Sequence, residues 1–150
     1  PIYAHASLPL TRETIHANTR QGLWLKKQRV KPEKKTTQKL FITYSNVGNS
    51  QDQVRIFQTI LKYTSSPRSY GSSVFHGAYT ALGYIDAGVF INKAIWDIAA
   101  IILLAQEAGL TVRYVSPPPD LTRDDLKKYQ YSLVIAQEKL VANLCRTISA

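Results

Sequence analysis

Residues 91–110, INKAIWDIAAIILLAQEAGL, constrain the fold more than any other part of this chain. From 98 to 105 the run IAAIILLA carries no polar side chain at all. A helix that is apolar all round belongs in an interior, because it has no face to offer water. The run is also far too short for a bilayer, which takes about 20 apolar residues. A buried helix over 98–108 is therefore expected. One carboxylate, Asp97, stands at its mouth, directly after Trp96. Aspartate is a favoured N-cap, worth about 1 kcal/mol, and Gly109 would end such a helix in the left-handed conformation. Pattern alone favours the cap; the rival reading places Asp97 in a polar site at the helix mouth.

The rest of the chain alternates strand-like and helix-like segments. Residues 1–30, broken by Pro9 and Gly22, are predicted as a two-stranded hairpin. KLFITYS (39–45) has the β-branched and aromatic content of a strand. Next, QDQVRIFQTILKYT places Val54, Phe57, Ile60 and Leu61 at the spacing of an amphipathic helix, begun by Asn49 or Ser50. GSSVFHGAYTALGYIDAG reads as a second helix, with Ser72 or Ser73 at its start and Gly83 near its end. VFINK is a brief strand, LTVRYVS an alternating one, PPPD a rigid stop and YSLVIAQ another strand, before QEKLVANLCRTI closes as a helix. Such alternation favours a layered α/β architecture.

Charge and cysteine content narrow the function. The net charge is +9, and Lys26, Lys27, Arg29, Lys31, Lys34, Lys35 and Lys39 form a basic block. Pro32 and the Thr36–Thr37 pair make that block a solvated loop, and no aromatic residues interleave it at a stacking spacing. Nucleic-acid binding is not expected, and neither is membrane insertion. The single cysteine, Cys145, excludes an internal disulfide and a cysteine-built metal site; it reads as inert packing in a reducing, cytoplasmic setting. A chain that begins at Pro1 and contains no methionine reads as a fragment or a processed product, with a genuine short protein as the alternative.

Most catalytic templates fail. There is no GxGxxG, no P-loop and no GxSxG, and His5, His16 and His76 are scattered without metal-ligand spacing, so each reads as structural. Two places remain. Gly71-Ser72-Ser73 opens a helix, where free N–H groups and the positive dipole end suit a phosphate, unless Ser72 or Ser73 is a plain N-cap. Asp97 could ligate a hard cation such as Mg²⁺, which prefers oxygen donors.

Three segments, in order, carry a resemblance. The opening IYAHASLPLTRETIHANTRQGLWLKKQRV, the middle RSYGSSVFHGAYTALGYIDAGV and the helix IWDIAAIILLAQEAGLTV together resemble the inositol monophosphatase family of Mg²⁺-dependent phosphomonoesterases. The last of them is similar to that family's signature W-D-x-A-A-x-x-x-x-x-x-E-A-G-G. The tail ending YSLVIAQ is similar to its final strand. The resemblance implies the C-terminal part of an αβαβα sandwich, with residues 1–39 as a hairpin and basic loop ending the N-terminal half and residues 40–150 as the C-terminal α/β domain. It implies Mg²⁺ as cofactor, Asp97 as a metal ligand close to the substrate, and Gly71, Ser72 and Ser73 as substrate-contacting residues. Arg68 and Asp86 fall on positions that are structural or at a dimer interface, and a homodimer is implied.

The departures matter as much. The family's D-P-I/L-D-G-T motif and the acidic G-E-E segment before it are absent from these residues. The acidic residue that many members carry seven positions before the W-D aspartate is Phe90 here, which puts an inositol-like polyol in question as substrate. Leu110 replaces the second glycine of E-A-G-G. One aspartate cannot hold the metals that phosphomonoester hydrolysis needs. The expectation is therefore an enzyme part, inactive without an N-terminal metal-binding half, acting on a small sugar, polyol or nucleotide phosphate. The alternative is a truncated, non-catalytic family member serving as an interaction or dimerisation module.

Overall fold

In a computed structural model of the chain, residues 1–9, 11–32, 39–45, 50–115 and 128–149 are described. The first sheet is an antiparallel meander of β1 (Tyr3–Leu8), β2 (Glu13–Asn18), β3 (Gly22–Leu25) and β4 (Gln28–Val30), in that order. The expected two-stranded hairpin is thus four strands. The reason lies in the turns, where Arg12 (φ 54°), Arg20 (φ 66°) and Lys26 (φ 55°) take the left-handed conformation. Asparagine, aspartate or glycine is the usual signal there, so basic residues hid the reversals.

The second sheet contains β5 (Ile42–Ser45), β6 (Ala87–Lys93), β7 (Thr111–Tyr114) and β8 (Tyr131–Ala136), in the order β5-β6-β8-β7. β5 and β6 run parallel, and β8 is antiparallel to both of its neighbours, β6 and β7. Far from brief, β6 is a seven-residue inner strand. It is covered on both faces, which explains its near-continuous apolar sequence.

Four helices complete the described fold: α1 (Ser50–Leu61), α2 (Ser73–Ala81), α3 (Ile95–Glu107) and α4 (Glu138–Ser149). α1 and α4 pack on one face of the second sheet through Ile56, Ile60, Val141 and Leu144 against Ile42, Val89 and Val134. On the other face Ile98 and Ile101 of α3 meet Phe90, Leu133 and Ile135. The far side of α2 and α3 packs on the meander, with Ala78, Leu103 and Leu104 against Ala6, Ile15 and Leu23. The order of layers is helices, sheet, helices, sheet. In α1 the buried stripe is Ile56 and Ile60, whereas Val54, Phe57 and Leu61 of the expected face are exposed. Five apolar residues on one short helix define two stripes, and only one meets the sheet.

α3 begins one turn earlier than expected. Its N-cap is Ala94, with no side-chain capping bond, and Asp97 lies inside the first turn. Asp97 is therefore not the cap, and its backbone N–H donates to Ala94 O at 3.0 Å. The helix end matches expectation: Gly109 has φ 77°, its N–H donates to Gln106 O at 3.0 Å, and the Leu110 N–H donates to Ala105 O at 2.9 Å. That pair of bonds is a Schellman motif, in which the residue after the glycine is often hydrophobic. Leu110 therefore suits its place.

Two polar anchors tie the helices to neighbouring segments. Glu107, at the end of α3, accepts the N–H groups of Arg20 and Gly22, each at 2.7 Å, and so holds the β2–β3 turn. Those backbone donors, Arg20 first, keep its carboxyl below the usual range. His76 on α2 is fully buried, and its Nε2 accepts the Tyr70 N–H at 2.9 Å. The ring proton then sits on Nδ1, which has no partner among the described residues. Burial, reinforced by the positive charge of Lys93, pushes the His76 pKa from 6.5 to about 4.

α2 and α3 touch at Gly77, where an added Cβ would overlap Ile101 Cβ and Cγ2. Gly77→Ala gains about 1 kcal/mol of helix propensity but is expected to destabilise by about 1–3 kcal/mol net through overpacking. Urea denaturation reads the sign directly, and a stabilised variant would show that the two helices can part. His76 gives a pH signature. Its folded pKa lies below its unfolded one, so the unfolded state binds more protons between about 4 and 6.5. Stability from this group is complete above that window and lost as pH falls through it, by roughly 2–3 kcal/mol. Denaturation of the parent and of His76→Gln at pH 7.5 and 4.5 should show a steeper acid loss in the parent.

Candidate functional site

β5 and β6 are parallel, and their carboxyl ends, Ser45 and Lys93, open into a cavity of 350 Å³. Ligands of open α/β sheets gather at such ends. Ser45, Gly71, Ser72, Ser73, Val74, Lys93 and Asp97 line it. The N-termini of α2 and α3 both reach this space, so two positive helix ends converge there. The four residues singled out from the sequence, Gly71, Ser72, Ser73 and Asp97, all border one cavity.

Each is placed by local chemistry. Gly71 turns the chain at φ 73°. Ser72 is the N-cap of α2, its Oγ accepting the Phe75 N–H at 3.2 Å. Ser73 Oγ meets Ser45 Oγ at 3.0 Å. The backbone N–H groups of Ser73 and Val74, in the first turn, have no internal helical acceptor and no hydrogen-bond partner among the described residues. Asp97 is half-buried and aligned with the first turn of α3.

Lys93 and Ser45 escaped the sequence reading. β6 changes register between Phe90 and Lys93, where Asn92 takes φ 51° and donates its N–H to Ser132 Oγ at 3.1 Å. Strict alternation would have put Lys93 on the face opposite Phe90; the bulge brings it to the cavity. Burial lowers the Lys93 pKa, while the negative charge of Asp97 opposes that shift. Phe90 is fully buried, with its ring 6.5 Å from that of His76, and does not border the cavity.

Other candidates have structural places. Asp86 Oδ2 accepts the Phe41 N–H at 2.6 Å. Arg68 is exposed, and its backbone bridges to β5 through its N–H to Ile42 O at 3.1 Å and its carbonyl to Tyr44 N at 3.0 Å. Cys145 is buried, its thiol 3.8 Å from Arg113 O and raised in pKa by burial. His5 and His16 lie on the outer face of the meander. Lys34, Lys35, Thr36, Thr37, Asn49 and the PPPD segment lie outside the described residues.

Magnesium demands near-octahedral oxygen ligation, usually with one or two carboxylates, waters and substrate oxygens. Among the described residues Asp97 is the one carboxylate bordering this cavity, and a lysine shares it. Among the described residues no group of three or more His, Cys, Asp or Glu could hold a metal. These residues offer one ligand arm and do not by themselves make a magnesium site.

Comparison with known proteins identifies the family. The model of the inositol monophosphatase family matches residues 1–149. The chain is 29% identical to a fructose-1,6-bisphosphatase of Pyrococcus furiosus over 115 residues, covering 75% of this chain and 42% of that protein. It is 32% identical to an inositol-1-monophosphatase of Bacillus subtilis over 111 residues, covering 71% and 42% respectively. The chain thus spans less than half the length of these relatives. The fold is similar to part of the Thermotoga maritima IMPase, at a TM-score of 0.78 and 18% identity, over 98% of this chain and 55% of that one. With the family match running nearly end to end, the chain belongs to the inositol monophosphatase family.

Proposed function

We propose that this chain is the C-terminal portion of a Mg²⁺-dependent phosphomonoesterase acting on a small sugar, polyol or nucleotide phosphate, and that these residues alone are inactive. One observation carries the reading: Asp97 and the free first-turn N–H groups of α2 face one cavity at the carboxyl ends of β5 and β6. A carboxylate and anion-binding amides in one place suit a phosphate ester and its metal together. Asp97 supplies one metal oxygen; Gly71, Ser72 and Ser73 hold and orient the substrate. Bound metal would supply charge neutralisation at the phosphoryl oxygens and a more acidic water. The remaining ligands come from the metal-binding part of the N-terminal half, whose end is the hairpin and loop of residues 1–39.

The outer face of the meander supports that division. Tyr3, His5 and His16 lie on it, and the Trp24 ring stacks on His16 at 6.1 Å. Tyr3 is 52% exposed. A sheet normally buries one face at least, and an aromatic second face suits a further layer. The missing half is the occupant we assign to it, in a cytoplasmic, homodimeric enzyme. The alternative is an interaction module whose contact is the basic segment 26–39; it predicts no dependence of function on Asp97.

Asp97→Asn in the complete enzyme preserves size and removes one anionic ligand. Turnover of a small phosphate monoester is expected to fall by at least about 100-fold, with weakened Mg²⁺ affinity and an unchanged melting temperature. Activity at the parent level would remove Asp97 from the site.

A further inference from the structure

The geometry points to Lys93 as a specificity residue that selects substrates carrying a second anionic group away from the phosphate that is hydrolysed. The inference rests on the reading of the cavity as the substrate site and names the class of molecule it takes.

Three observations carry it. First, Lys93 borders the cavity together with Asp97, yet the one ion pair found among the described residues is Arg113–Glu138. Lys93 is half-buried and, although it feels the charge of Asp97, makes no ion pair with it or with any other carboxylate among the described residues. Second, the chain departs from regular geometry to put it there. The register shift between Phe90 and Lys93, with Asn92 at φ 51°, turns the lysine to the α2–α3 side. Bulges that re-aim one side chain are typical beside functional sites. A non-glycine residue in the left-handed region costs stability that the surroundings must supply; here the Ser132 hydroxyl accepts the Asn92 N–H at 3.1 Å.

Third, Phe90 is fully buried away from the cavity, and among the described residues Asp97 is the one carboxylate on the wall. The wall therefore offers an ammonium and the Ser45 and Ser73 hydroxyls. A neutral polyol gains little from an ammonium that must shed water to meet it. A phosphate or carboxylate gains a charge-assisted hydrogen bond. Asp97 remains for the metal and the reacting end, and Lys93 takes the distal anion.

The test uses the full protein from its source, with Mg²⁺ removed so that nothing turns over. Calorimetry compares fructose 1,6-bisphosphate with fructose 1-phosphate, which lacks the distal phosphate. The bisphosphate is expected to bind about tenfold tighter or more. Lys93→Met should bring the two within twofold, and Lys93→Arg should keep the preference. Ser73→Tyr, which fills the cavity, should weaken both ligands. No bisphosphate preference in the parent, or one that survives Lys93→Met, overturns the assignment. If Ser73→Tyr weakens both ligands in that case, the cavity stands as the substrate site and only the role of Lys93 falls. If Ser73→Tyr leaves both affinities unchanged, the cavity reading itself falls.

Discussion

From Ile98 to Ala105, α3 is apolar on every side, and the described structure covers both flanks of that run. One flank packs on the second sheet through Ile98 and Ile101, the other on the meander through Leu103 and Leu104. All four residues are essentially buried. At roughly 1.5–3 kcal/mol for each large aliphatic side chain buried, this one helix contributes a sizeable share of the folding free energy. Its two ends carry its only acidic residues, and both have work. Glu107 grips the β2–β3 turn, fixing the meander to the helix. Asp97, at the other end, borders the cavity. Packing thus decides where the site chemistry stands, because Asp97 can move no more freely than the helix beneath it.

How much of this was legible follows from how each element is encoded. The central helix, its glycine end and the strands β5, β7 and β8 were readable, because hydrophobic runs and a left-handed glycine are local signals. The meander was not. Its reversals use Arg12, Arg20 and Lys26 at positive φ, residues that carry no turn signature. The paired stripes of α1 misled for another reason: periodicity counts apolar residues, and only the sheet decides that Ile56 and Ile60 face inward while Val54 and Phe57 do not. Asp97 looked like a cap because it stands where the apolar run begins, but three further residues, Ala94, Ile95 and Trp96, belong to the helix start.

The site was legible in part for similar reasons. Gly71, Ser72 and Ser73 announce a helix start, and the W-D pair announces another; what brings them together is the parallel pairing of β5 with β6, a long-range fact. Lys93 could not have been found by alternation, since a one-residue bulge reverses the face on which it lies. Such a bulge leaves no trace in composition. Under the proposed reading, the described residues supply the substrate-orienting side of a phosphatase site and one metal ligand, Asp97.

The most direct test is hydrolysis of p-nitrophenyl phosphate, with and without Mg²⁺, by residues 1–150 alone and by the same residues together with a segment bearing the D-P-x-D-G-T motif. The expected result is no Mg²⁺-dependent turnover by the 150 residues and clear turnover once that segment is present. Mg²⁺-dependent turnover by residues 1–150 alone, abolished by Asp97→Asn, would show that the metal centre is complete without another half and would contradict the account.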